Sequence, residues 1–245
     1  MHVQRPTTPF TTSLTGAFTP SVAIARTGRP AAGPGCVTVC WAAKGGSGTT
    51  VVAAALALTM RPPVLLVDLA GDIHAALGTP VPSGPGVHDW LRSDAGAEGI
   101  CHLAGEAAPG VDVVAAGTDR VDADHPRWAE LAAVLAAEPR TVVVDAGTGP
   151  PPGALLDGRA RSLLVTRACY LSLRRAVGHD RRPSAIVLVA EPGRALRAAD
   201  VECALGAPVV ATVSIDPAVA RAVDAGLLSA RLPRVIRHDL RGAAA

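Results

Sequence analysis

The chain has 245 residues, 49% of them hydrophobic, enough to bury one substantial core and most simply read as a single domain. A formal net charge of +2 implies no strong global field toward nucleic acid or membrane, and no apolar run reaches the ~18 residues of a transmembrane helix. The five cysteines contain no Cys-x-x-Cys pair, so small buried thiols in a reducing compartment are expected in place of disulfides or a metal cluster. The seven histidines show no metal-ligand spacing, and the N-terminal stretch lacks a signal-peptide pattern, so a cytoplasmic location is expected.

Residues 1–35, rich in Thr, Pro, Gly and Ala without periodicity, are expected to form a disordered tail, with 36–245 as the folded domain. A buried strand is predicted over Val37–Trp41, then a glycine loop, then an apolar helix over Thr49–Met60 that Pro62-Pro63 ends. Strand Val64–Asp68, surface loop Pro80–Gly86, helix Val87–Ser93 and strand Val111–Ala115 follow. Asp122–His125 reads as a loop leading into a helix over Pro126–Ala137, with Asp124 near its cap. Next come strand Thr141–Asp145, a loop over Gly147–Gly153, strand Ser162–Thr166 and helix Leu171–Val177. The last predicted elements are strand Ala185–Ala190, helix Ala195–Leu205, strand Pro208–Val213 and helix Pro217–Ala225. Near-continuous apolar strands alternating with helices indicate an α/β fold, a mostly parallel sheet with helices on both faces. In such sheets ligands bind at the carboxyl ends of the strands.

Lys44 is the only lysine; the remaining 22 of the 23 basic Lys and Arg side chains are arginines. It stands in Ala43-Lys44-Gly45-Gly46-Ser47-Gly48-Thr49-Thr50, between predicted strand and predicted helix. A compact ammonium suits a narrow phosphate loop in a way that a planar guanidinium does not. The N–H groups of Gly45, Gly46, Ser47 and Gly48 are candidates to converge on phosphate oxygens, aided by the helix's positive end, with the Thr50 hydroxyl on Mg²⁺. Asp145, closing a Val-Val-Val strand, is the candidate ligand of a Mg²⁺-bound water, and Asp68 stands in the same way at the end of the second strand.

The glycine segment resembles the deviant Walker A motif of the ParA/MinD family of P-loop ATPases. Val64–Asp72 is similar to that family's second strand and switch I, and Thr141–Gly147 to its Walker B strand and switch II. Leu163–Thr166 with Leu171–Arg175, and Val213–Pro217, look like its later elements, so the resemblance spans about residues 36–230. It implies ATP and Mg²⁺ as ligands and a nucleotide-dependent homodimer. Lys44 would reach the nucleotide of the partner subunit and serve catalysis there, Asp68 would serve the catalytic switch, and Thr49 would lie among the nucleotide-binding positions.

Two departures stand out. The family's second lysine is Thr49, and Ala70 replaces the second acid of switch I; Asp72, two residues on, substitutes only if the loop rearranges. Losing one charge-assisted hydrogen bond of ~1.5–3 kcal/mol weakens nucleotide binding roughly 10- to 150-fold. A positioned acid or base is worth ~10²–10⁴ in rate, so weak or absent hydrolysis is expected. The resemblance therefore implies an ATP-binding switch in cellular positioning, such as chromosome partitioning or septum-site placement, working with a protein partner. The alternatives are a non-catalytic CpaE/TadZ-like regulator of pilus or secretion assembly and, less well supported, a P-loop synthetase. Nonspecific DNA and a membrane surface are further candidate contacts. Arg174-Arg175 and Arg181-Arg182 nevertheless read better as a solvated face, and the basic-apolar segment Arg231–Arg241 is short and interrupted by Pro233.

Overall fold

The computed structural model describes residues 36–244; the expected tail over 1–35 lies outside the described residues. Eight strands form one sheet: β1 (Val37–Ala42), β2 (Val64–Asp68), β3 (Gly105–Ala108), β4 (Val111–Val114), β5 (Thr141–Thr148), β6 (Arg161–Arg167), β7 (Ala185–Ala190) and β8 (Val209–Ser214). Their order is β3-β4-β2-β5-β1-β6-β7-β8, and every pairing is parallel except β3 with β4. β1 and β2 are buried along their whole length, as expected for strands covered on both faces. Seven strands match the sequence reading. β3 was not expected, because Gly105-Glu106-Ala107-Ala108 carries no β-branched or aromatic residue. It exists because the tight turn at Gly110, with φ of 73°, folds the chain back along the free edge of β4.

Side chains alternate between two apolar layers. Along β2, Val64 and Leu66 enter one layer while Leu65 and Val67 enter the other. The first layer lies under α1 (Thr49–Ala57), α2 (Ile73–Leu77), α8 (Pro217–Asp224), α9 (Arg234–Asp239) and α10 (Arg241–Ala244). The second lies under α3 (Val87–Arg92), α4 (Gly99–His102), α5 (Arg127–Ala137), α6 (Tyr170–Val177) and α7 (Ala198–Leu205). α1 shows almost no polar face, since the sheet covers one side and α2 and α9 cover the other.

Several sequence expectations need correction. The basic-apolar end segment, already read as a poor membrane-surface helix, packs inward: Leu232, Ile236 and Leu240 are 9%, 1% and 0% exposed and belong to the core. Pro233 starts α9 and does not break it. The stretch Gly147–Gly153 is not all loop, because β5 runs on to Thr148 and a 3-10 turn begins at Gly153. Of the five thiols Cys40 alone is buried, and Cys203 is exposed. The lead into α5 uses His125 rather than Asp124: the Arg127 N–H donates to His125 Nδ1 at 3.3 Å.

α3 is anchored from its far end by Arg127. The guanidinium lies 3.8 Å above the Trp90 ring and donates to the carbonyls of Trp90 (2.6 Å), Ala95 (2.6 Å) and Ser93. Its remaining N–H groups engage Glu130 at 2.8 and 3.1 Å. One planar fork thus gathers three carbonyls at and just beyond the end of α3, with Trp90's already shared with Ser93. Arg127→Ala is expected to lower the unfolding free energy by ~1–3 kcal/mol in urea titration, because it removes several charge-assisted hydrogen bonds and the stacked cation. Arg127→Lys should recover only a small part, since an ammonium cannot span all of these acceptors.

Candidate functional site

Between the end of β1 and the start of α1 the chain makes a tight glycine loop. Gly46 and Gly48 have φ of 75° and 84°, a left-handed conformation that side-chain-bearing residues rarely adopt. The Ser47 hydroxyl donates to the Lys44 carbonyl at 2.7 Å and pins the loop from inside. α1 has no side-chain cap, and the amides of Gly46, Ser47 and Gly48 make no hydrogen bond among the described residues. Open N–H groups at the start of a nine-residue helix form an electropositive cradle.

The loop faces a cleft of about 270 Å³ at the carboxyl edge of the sheet. Residues 46–51 make one wall, and Ala70, Asp72, Gly147, Thr148 and Arg120 close the rest. Asp72 is thus the one carboxylate among the lining residues, two positions beyond Ala70.

Register places the two strand-end acids side by side, Asp68 of β2 opposite Asp145 of β5. Both are buried, at 1% and 0% exposure. Asp68 is committed to its own turn: Oδ1 accepts from Ala70 (2.9 Å) and Gly71 (2.7 Å), and Oδ2 accepts from Ile73 (3.0 Å). Burial still outweighs these bonds and pushes its carboxyl above the ordinary range. Asp68, expected as catalytic, thus accepts the three amides of its own turn and is not among the residues that line the cleft.

Asp145 is less well served. Its Oδ1 accepts from the Gly147 N–H at 3.0 Å, but Oδ2 is buried with no hydrogen-bond partner. The Thr50 hydroxyl stands close enough to lower its pKa without completing a bond to that oxygen. Burial, with Asp68 and Asp72 adding repulsion, holds the carboxyl up at about 6. An orphaned carboxylate oxygen beside a threonine hydroxyl, with two more acids near, fits a divalent cation bound at Thr50.

Lys44 does not line its own cleft. Its ammonium donates to the Gly45 carbonyl at 3.1 Å in an exposed hydrogen bond. The cation in the cleft is one that sequence reading missed, Arg120 from the loop after β4. That loop is latched to the start of α3. Asp89 accepts from the N–H groups of Gly86 (2.8 Å) and Thr118 (3.1 Å), which with further bonds from Thr118 and Arg92 holds its carboxyl down near 2. Gly117, at φ 84°, leaves room for Asp89 where a Cβ would lie 2.0 Å from its carboxylate. His88, 1% exposed, accepts the Val121 N–H on Nδ1 (3.3 Å), so its Nε2 carries the proton and donates to the Leu69 carbonyl (3.2 Å). Burial keeps that imidazole below its ordinary pKa, hence neutral. One histidine thereby ties the Asp68 turn to the Arg120 loop.

No protein-family model matches the sequence, and no curated protein does. Solved structures do. A ParA family ATPase from Chlorobium tepidum TLS superposes with a TM-score of 0.68 at 19% identity, covering 85% of this chain and 98% of that one. The cell-division ATPase MinD of Pyrococcus furiosus gives 0.69 at 20% identity over 85% and 98%. The fold is that of the ParA and MinD ATPases. MinD of Pyrococcus horikoshii OT3, solved in complex with Mg-ADP, matches at 0.68 and 19% identity over 85% and 94%. On this ParA/MinD fold the cleft sits at the carboxyl edge, where β1 leads into α1.

The Asp145 carboxyl yields a test that needs no ligand. Its pKa is raised from 3.8 to about 6, so folding favours the protonated acid. That advantage is complete below 3.8 and is lost as pH rises through about 6, leaving a buried unpaired charge above it. Asp145→Asn, uncharged and of the same size, is expected to raise the unfolding free energy by ~1–3 kcal/mol near pH 8 and to change it little near pH 4. Denaturant midpoints at the two pH values check this.

Proposed function

We propose that this chain is an ATP·Mg²⁺-binding switch of the ParA/MinD type that serves cellular positioning through a nucleotide-dependent homodimer and a protein partner. The observation that carries the reading is the buried, unpaired Oδ2 of Asp145 beside Thr50, at a glycine loop whose amides are open. A solved neighbour, Cyanothece McdA, is described as an ATP complex, and it matches with a TM-score of 0.61 at 15% identity over 87% of this chain.

In this reading the amides of Gly45, Gly46, Ser47 and Gly48 bind phosphate oxygens, with Thr49 at the first turn of α1. Thr50 and Asp145 hold Mg²⁺, Asp145 through a coordinated water, and the bound ion neutralises phosphate charge. Asp68 keeps the neighbouring turn in shape by accepting its three amides. Turnover is slow, because position 70 presents a methyl group where an acid would orient water. Chromosome partitioning and septum-site placement are the positioning roles proposed, in keeping with the ParA and MinD names of the neighbours.

Calorimetric titration with ATP·Mg²⁺ at low salt tests the site directly. Wild type should give saturable heat in the micromolar to submillimolar range, and Gly46→Val should abolish it. A β-branched residue is strained at the Gly46 φ of 75°, so the substitution distorts the wall of the cleft. No heat at millimolar nucleotide would sink the proposal.

Lys44 is assigned to association, because it is not among the residues lining its own cleft and its ammonium donates only to the neighbouring Gly45 carbonyl among the described residues. Lys44→Ala should leave the nucleotide affinity of dilute monomer nearly unchanged and cancel the ATP-dependent shift to dimer in sedimentation. Equal dimer formation by both proteins in saturating ATP would retire this role.

A further inference from the structure

The cleft should be short of positive charge. Position 49 holds a threonine, Lys44 is not among the lining residues, and Asp72 adds a carboxylate to the wall. The open amides and the start of α1 supply only partial charges. Against a polyphosphate this leaves a site with hydrogen-bond donors but no full cation from the loop itself.

Arg120 meets that need from a direction the loop motif does not suggest. It is the only cation among the described residues that line the cleft. Its guanidinium makes no hydrogen bond or ion pair among the described residues, whereas Arg92, Arg127, Arg140 and Arg167 are all engaged with acids or carbonyls. Its backbone is far from free. The flanking Thr118 and Val121 amides are held by Asp89 and His88, and Arg92 donates to the Asp119 carbonyl beside it. A fixed loop that carries an unpaired guanidinium on the lining of an anion cradle suits an anionic ligand.

Resting on the ATP reading above, we infer that Arg120 binds the phosphate oxygens of the nucleotide and supplies the cation that position 49 lacks. Arginine suits this position although it would not suit the loop. It approaches from across the cleft, where its length is needed and its fork can engage two oxygens at once.

The experiment is a double-variant comparison by calorimetry with ATP·Mg²⁺, using the full chain. Arg120→Ala should weaken binding roughly 10- to 100-fold, the effect of one charge-assisted contact. Its thermal stability without nucleotide should match wild type, since the side chain is exposed and unpaired. Thr49→Lys should restore affinity in the Arg120→Ala background yet add little to wild type, because each cation answers the same deficit. If Arg120→Ala binds as tightly as wild type, the inference fails while the ATP reading stands. If Arg120→Ala is weakened but Thr49→Lys does not rescue it, Arg120 is not the replacement cation and the inference fails as stated. If wild type itself binds no nucleotide, both fall together.

Discussion

Two carboxylates sit at neighbouring strand ends in a layer that water does not reach, and the surrounding architecture answers to that placement. A parallel sheet covered on both faces gives strand-end charges no solvent, so each must find protein partners or remain costly. Asp68 solves the problem locally, by drawing the next turn around its own oxygens. Asp145 does not, and one of its oxygens is left bare. The same sheet register that makes the pair adjacent also brings the glycine loop, Thr50 and the Gly147 turn to one point. Electrostatic demand and the ligand cradle are thus products of one strand order.

Much of this was legible in sequence because it is local. Lys44 through Thr50 announces its own turn: glycines are required where φ is positive, and flanking apolar runs name the strand and helix. Val64–Asp68 was recovered with its observed bounds, because a β-branched or leucine run ended by an acid has few other uses. What failed was non-local. β3 is a strand only because β4 offers an edge, and the apolar stripe of 232–240 is core only because α1 needs a lid. Arg120 and His88 could not be found from spacing, since nothing in the chain says that β4 lies beside β2. Their signal was confined to position: a short polar loop directly after a strand, on the edge where α/β proteins bind ligands.

The α3 segment shows how a site can be organised from outside its motif. Its first turn holds the Arg120 loop through Asp89 and His88, and its last turn is held by Arg127. Between them, His88 also touches the carbonyl of Leu69, next to the buried Asp68. A neutral imidazole that accepts on one nitrogen and donates on the other couples two cleft walls without adding charge to either. The two walls are therefore not independent. A change that loosens α3 is felt at both, although no α3 residue lines the cleft.

The burial of α1 under the last helices has a consequence for how the protein is made. α1 follows the glycine loop near the start of the fold, yet the side chains that seal its outer face, Ile236 and Leu240 among them, come near the end of the chain. Arg161 on β6 adds a second tie by donating to the Ala243 carbonyl. During synthesis the early strands emerge long before the segment that closes them in. The cradle-bearing helix must then wait with an apolar face uncovered, the situation in which long-range contacts slow folding and invite aggregation. The helix that carries the cradle forms early in the fold and is covered late.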